Sequence, residues 1–415
     1  MSKSVLIVEP RHTGHRMTLY VRQLLAEGAR RGVRVRLMTS SQSADAPALA
    51  MLLAEGLDVR HIRYADERDA RLLSPKLRRV ERQFRAYAAI RKAFRALGPR
   101  RTPDVVIVPS SDSLDRPIAF LGSPFGCTPF AVGSIGATFH RSLGAPMWIP
   151  QRVRSAVDRA VLSRLLAVPT LTRCFTADRS LVHYARVSDA AHFRKVVHVP
   201  EPAAFTEMGD RSKARAALGI DADAFVVLVY GALSRRKGIL SLLRAMQYPA
   251  ARGKTVALLV GRQDPDVRRD ISAHIAAARF DRTAVVMVDE VVDAAMERDA
   301  FGATDVVWLG YARDFTGPSG VLAQSHAVGL PVLASAWGEI GEDVRRSGTG
   351  LLVDSENEAD VAEALGRLVM DERLYMDLRQ RTIASASNAA VDGYASVIFD
   401  DVLHSARTLT SRKSV

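Results

Sequence analysis

The sequence predicts an α/β protein built from two Rossmann-like, doubly wound domains, and three observations predict it. Short β-branched runs alternate with longer helical patterns along the chain, the mark of βαβ units on a parallel sheet. The alternation comes in two series, one on each side of Pro200-Glu201-Pro202, a stretch that suits neither a helix nor a sheet interior. At 415 residues, 48% of them hydrophobic and 25% charged, the chain can fill two or three cores, which excludes a single small module and a disordered polymer.

In the first series, strands are expected at 5–9, 33–39 and 105–109, with a helix over about 18–31. Residues 117–140 carry no Lys, Arg, Asp or Glu, but Pro124, Pro129 and four glycines break the run, so it reads as strand, loop, strand rather than a membrane span. A strand at 196–199 closes the series. The second series places strands at 225–230, 256–260, 285–288, 306–309 and 332–335. The expected domains are 1–200 and 201–393, with a last helix from about 394 packing back onto the first.

Charge divides the same way. Residues 1–200 hold 33 basic and 15 acidic residues and 201–415 hold 25 and 30, so a net +13 resolves into +18 and −5. Phosphates, nucleic acid or an anionic membrane would each suit the basic half. Nucleic acid is disfavoured, because aromatics are only 6% and no basic-aromatic interleaving of the usual modules occurs. Two stretches, 76–101 and 151–168, combine arginines with apolar residues at helical spacing, which suits an amphipathic face against protein or in a lipid interface. Each basic residue near an anionic leaflet contributes about 1 kcal/mol. Cys127 and Cys174 form neither a zinc nor a redox spacing, and the apolar run at the N-terminus is too short for a signal peptide. A cytoplasmic protein, peripheral at the inner face of the membrane, is the expectation.

Ligands of open α/β sheets gather at the carboxyl ends of the strands, so the loops there carry the chemistry. After the first strand come Arg11-His12-Thr13-Gly14-His15-Arg16 and then a helix, a place where backbone amides can approach an anion. After 225–230 come Gly231-Ala232-Leu233-Ser234-Arg235-Arg236-Lys237-Gly238. Three adjacent cations repel one another unless an anion offsets them, and a diphosphate is a natural one; the alternative is a basic turn in solvent. The run Phe315-Thr316-Gly317-Pro318-Ser319-Gly320-Val321-Leu322-Ala323-Gln324 reads as a loop entering a helix near Ser319, with small residues baring the helix amides. The Asp221/Asp223 and Asp264/Asp266 pairs are expected in solvated loops rather than at a metal.

The segment 231–238 before a helix, and the helix ending Ala-Val-Gly-Leu-Pro-Val-Leu-Ala-Ser at 327–335, resemble the GT-B glycosyltransferases, specifically the retaining family GT4 that uses nucleotide-sugar donors. Thr138-Phe139-His140, Thr176-Ala177-Asp178-Arg179 and Val199-Pro200 follow the family's order over most of the chain. The resemblance implies two domains facing a central cleft, no metal and no cofactor, and a nucleotide-diphosphate sugar as substrate. It sets Lys237 on the donor diphosphate with Arg235 or Arg236 as second cation, and His140 near the transferred sugar. Gly317, Ser319, Gly320 and Val321 would line the phosphates, and Gly14, Gly231, Gly261, Arg262, Glu290 and Val291 would approach the donor. His15, Arg16 and Asp112 are expected on the acceptor side.

Two positions depart from the family. It commonly has glutamates where this chain has Thr316 and Gln324. At the latter position a glutamate accepts hydrogen bonds from both ribose hydroxyls, whereas glutamine accepts through oxygen and donates through nitrogen, a loss of about 1–2 kcal/mol. The expected function is transfer of a sugar to a polysaccharide or lipid-linked acceptor; a nucleotide-binding protein without turnover is the alternative that Thr316 and Gln324 motivate.

Overall fold

The computed structural model describes residues 3–10, 16–40, 75–134, 137–142, 149–248, 255–278, 284–391 and 393–411, together with 50, 54 and 56. The chain divides into two compact units, Met1–Pro200 with Asp392–Val415, and Glu201–Val391.

The first unit is a six-stranded sheet of β1 (Ser4–Glu9), β2 (Arg34–Thr39), β3 (Val105–Val108), β4 (Phe130–Gly133), β5 (Leu171–Thr176) and β6 (Val196–His198) in the order β2-β1-β3-β4-β5-β6. Every pairing is parallel. Parallel strands are buried on both faces, and the two-residue period sorts their side chains accordingly. Leu6, Val8, Val106 and Val108 join one core with helices Pro75–Arg95 and Ile149–Ala167. Val5, Ile7, Val105 and Ile107 join another with helices Arg22–Arg30 and Tyr394–Ser411. Ile398, Phe399 and Val402 of that last helix are buried there, and Arg31 to Asp400 (2.5 Å) and Arg173 to Asp401 (2.9 Å) tie its polar side to the same unit.

One sequence expectation changes. Residues 115–121 form a helix, Asp115–Leu121, in place of the strand expected from 117; Pro117 lies in its first turn, where a missing N–H costs nothing. The apolar residues of 76–101 face protein: Tyr87, Ile90 and Phe94 are buried in the first core. The helix Ile149–Ala167 is divided. Its second half buries Val161, Leu162, Leu165 and Leu166, while Ile149, Val153 and Val157 stand 77%, 58% and 47% exposed. Among the described residues no helix is long and apolar enough to cross a membrane.

The second unit repeats the design with β7 (Phe225–Tyr230), β8 (Thr255–Val260), β9 (Val285–Val288), β10 (Val306–Leu309), β11 (Val332–Ser335) and β12 (Gly350–Val353), ordered β12-β11-β10-β7-β8-β9 and all parallel. Both sheets therefore have one topological switch point, between β1 and β3 in the first and between β7 and β10 in the second. Loops leave such a pair in opposite directions and open a crevice for ligands.

Helix Gly320–Ala327 lies between β10 and β11 and ends against Thr349 through His326, whose Nε2 is 2.8 Å from the threonine hydroxyl. Burial, aided by the Arg346 charge, pushes this imidazole from 6.5 down to about 4. The unfolded chain then takes up a proton that the native state refuses, so the neutral histidine's contribution is full above about 6.5 and is lost as pH falls toward 4. Thermal melts over that range are expected to show a decline of up to about 3 kcal/mol from this group. His326→Gln should flatten that part of the profile.

Candidate active site

The second switch point is shaped by glycines. Gly231 ends β7 at φ 94° and Gly261 follows β8 at φ 127°, and a Cβ on Gly261 would run into the Gly231 carbonyl. Gly238, at φ 58°, caps the short turn Arg235–Lys237 and starts helix Ile239–Ala245; a Cβ there would meet the Gly310 carbonyl just beyond β10. These are positions where backbones touch in left-handed conformations, and only glycine fits both demands.

That tight turn sends Lys237 inward. The side chain is buried, its Nζ donates to the Tyr230 carbonyl at 2.6 Å and to the Tyr311 hydroxyl at 3.3 Å, and the Trp308 indole N–H donates to the Lys237 carbonyl at 2.8 Å. Tyr311 in turn lies 3.3 Å from the Ser319 hydroxyl, and Ser319 caps helix Gly320–Ala327 by accepting from Leu322 N–H. The basic turn after β7 and the helix start after β10, more than 80 residues apart, are thus joined through one tyrosine ring. Tyr311 stacks on Phe315 at 4.3 Å between centroids, and the Arg236 guanidinium sits 5.0 Å from the Phe315 centroid. Burial alone would raise the Tyr311 phenol; the Lys237 charge, the hydrogen bonds from Ser319 and Lys237, and Arg236 bring it below the ordinary tyrosine value.

An ammonium has three donors, and Lys237 uses two of them on neutral oxygens. A buried cation with only neutral partners calls for an anion. Gly320 is exposed and Val321 half-buried at the helix start beside it, so the amides there remain open to one. Gly317 and Thr316 are half-buried in the preceding loop, and the Thr316 carbonyl accepts from Glu339 N–H at 3.1 Å. Gln324 points elsewhere: buried, it accepts from Ala204 N–H at 2.7 Å and donates to the Phe205 carbonyl at 2.8 Å.

The remaining residues expected near the donor are dispersed. Arg235 pairs with Asp270 at 2.6 Å on helix Pro265–Ala278, so Arg236 is the cation beside the aromatic pair. Arg262 and Glu290 are exposed, and Val291 is 81% exposed. Tyr311 is the residue sequence reasoning missed; its signal is position, two residues past the end of the strand beside β7.

The first unit has its own polar cluster at the β1/β3 switch. Arg16 bonds Asp112 at 2.9 Å and the Ser110 hydroxyl, and Gln83 donates to the Asp112 carbonyl at 2.7 Å and to Asp115 at 2.9 Å. His140 is buried with Nε2 2.9 Å from Asp178 Oδ2, while Asp178 Oδ1 caps helix Arg179–Val187 through Leu181 N–H. The other ring nitrogen, Nδ1, has no hydrogen-bond partner among the described residues. Gly14 and His15 lie outside the described residues.

Two parallel, doubly wound six-stranded sheets make the GT-B fold. Residues 224–371 match the family model described as glycosyl transferases group 1. A D-inositol 3-phosphate glycosyltransferase of Nocardioides sp. is 29% identical over 253 residues, 58% of this chain but only 51% of that relative. The enzyme of the same name from Actinosynnema mirum is 26% identical over 397 residues, 91% of this chain and 89% of that one. The structure of Anabaena HepE in complex with UDP-glucose superposes with a TM-score of 0.68 at 16% identity, covering 98% of this chain and 99% of that one. Over residues 224–371 the chain is similar to the glycosyl transferases group 1, and it spans about half the length of the first of these curated relatives.

Gly238→Ala should lower the thermal midpoint by several degrees, since both the positive φ and the Gly310 carbonyl oppose a methyl group there. Gly320→Ala, at a position with φ outside the left-handed region and only Glu201 Oε1 near, at 3.7 Å, serves as the tolerant control.

Proposed function

We propose that the second unit binds a nucleotide-diphosphate sugar at the β7/β10 switch and that the enzyme transfers the sugar, with retention, to an acceptor recognised by the first unit. The observation that carries this reading is the Lys237–Tyr311–Ser319 chain. It leaves one ammonium donor beside open helix amides, and a diphosphate is the dianionic group that matches both. Lys237, Arg236 and the amides from Gly320 onward then stabilise charge on the departing nucleoside diphosphate, with no metal required. HepE, the fold relative described with UDP-glucose, supports this class of donor.

His140, oriented by Asp178, presents Nδ1 as an acceptor for a hydroxyl proton of the transferred sugar. Arg16, Ser110 and Asp112 offer a cation, a hydroxyl and a carboxylate to a polyhydroxylated acceptor. We assign that acceptor to a lipid-linked glycan at an anionic membrane surface. Ile149, Val153 and Val157 form an exposed stripe at four-residue spacing, with exposed Arg152, Arg154 and Arg159 around it. Phe120 and Leu121, 56% and 54% exposed, end the helix that packs beside it. An apolar stripe flanked by arginines is the pattern of an interfacial helix. A soluble phosphorylated polyol is the second reading, favoured by the names of the sequence relatives.

Adding a nucleoside diphosphate should raise the thermal midpoint of the intact protein in proportion to ligand concentration over dissociation constant, and Lys237→Ala should abolish the shift. A shift of equal size in Lys237→Ala would remove the lysine from the site. Sedimentation with vesicles containing anionic lipid at low salt should capture the protein, and a Val153→Ser/Val157→Ser double substitution should release most of it while leaving nucleotide binding intact. Protein that stays in the supernatant at low salt favours the soluble acceptor.

A further inference from the structure

We infer that Tyr311 is a positioning residue of the proposed donor site: it takes a proton from Lys237, gives its own to Ser319, and so turns the Ser319 hydroxyl proton toward the phosphate oxygens of the ligand. This rests on the proposed donor site and adds to it a neutral hydrogen-bond donor and the residue that orients it.

The count of protons sets the direction. Tyr311 is 4% exposed, and its hydroxyl has two described neighbours, the Lys237 ammonium at 3.3 Å and the Ser319 hydroxyl at 3.3 Å. An ammonium has no lone pair to offer, so the phenol oxygen accepts from Lys237 and the phenol proton is left with Ser319 Oγ. That serine oxygen also takes the Leu322 N–H, at 3.4 Å. Both of its lone pairs are then engaged, and its own proton has no acceptor among the described residues. The third ammonium proton of Lys237 is in the same position. One charged and one neutral donor thus flank a single phenol, each with a proton unspent, beside the exposed Gly320 at the helix start. A group that offers oxygens and no protons satisfies both, and an ionised diphosphate is such a group.

The relay is polarised from the lysine side. Burial raises the Tyr311 phenol, but the Lys237 charge and the hydrogen bonds bring it below the ordinary tyrosine value, and a phenol that holds its proton less firmly gives a stronger hydrogen bond. The ring does not need its hydroxyl to stay in place. It stacks on Phe315 at 4.3 Å, lies 5.2 Å from the Lys237 ammonium by its centroid, and is held through its backbone carbonyl, which accepts from the Ser355 hydroxyl at 2.9 Å. Tyr311→Phe therefore removes the relay and keeps the packing.

The test is a double-mutant cycle on ligand binding, read by calorimetric titration of the full chain with uridine, guanosine and adenosine diphosphates in parallel. Tyr311→Phe is expected to melt within a few degrees of the wild type and to bind the preferred nucleotide about fivefold more weakly. Ser319→Ala, which removes the hydroxyl that meets the ligand, is expected to weaken binding by about fivefold to tenfold. It also gives up the cap on Leu322 N–H, so the titrations are run well below the midpoint of every variant. In the double variant the tyrosine change should add less than about twofold, because the hydroxyl it orients is gone. A side chain that merely supports the fold would add its full factor in either background. Unchanged or tighter binding by Tyr311→Phe overturns the inference, and so do effects that multiply in the double variant. Failure of all three nucleotides to bind the wild-type chain overturns the donor site itself, a result distinct from any difference among the variants.

Discussion

The second unit places one ammonium group at the carboxyl ends of the paired strands β7 and β10. Lys237 reaches that spot because Gly238 turns the chain in a left-handed conformation against the Gly310 carbonyl, and it stays because Tyr230 and Tyr311 each accept one of its protons. A desolvated cation is costly when its partners are neutral, and the cost is a driving force for an anion of fitting shape. The helix that starts after Ser319 brings the positive end of its dipole near the same ammonium through the Tyr311–Ser319 contact, so the sheet topology, the glycine turn and the helix cap gather positive charge in one place.

The first unit meets a different requirement with different chemistry. Among the described residues at its switch point, Arg16 pairs with Asp112, and Ser110 and Gln83 complete a network of mixed donors and acceptors. Such a network suits hydroxyl groups, which both give and take hydrogen bonds, better than a bare polyanion. His140 is set apart from it by its pairing with Asp178, which fixes the ring orientation and leaves one nitrogen for a reacting group. The two units share a topology and divide the chemistry.

Much of this was legible in the sequence because parallel sheets write plainly: buried strands read as unbroken Val/Ile/Leu runs, and the five expected in the second series correspond to β7 to β11. β12 was not singled out, since Gly350–Val353 contains only three apolar residues after Gly348 and Thr349. The helix at Asp115–Leu121 was misread because proline suggests a break, while in a first turn it is no obstacle. Lys237 and Ser319 stand in local patterns that a reader can recognise. Tyr311 does not, because its role comes from contacts with residues 74 positions before it and 8 after it. The same limit applies to Gln324: its identity is in the sequence, but the backbone it clasps is 119 and 120 residues away.

Where the chain departs from its resemblance, it does so selectively. On the proposed reading the diphosphate contacts are charge-assisted, and such bonds are roughly twice as strong as neutral ones, so their loss would remove most of the hold on a donor. Glutamine at 324 makes two bonds that tie the start of the second unit to helix Gly320–Ala327, whose last turn is also anchored through His326 to Thr349. On the proposed reading, glutamine in place of a charged acceptor at 324 trades donor affinity for bonds that hold the second unit together.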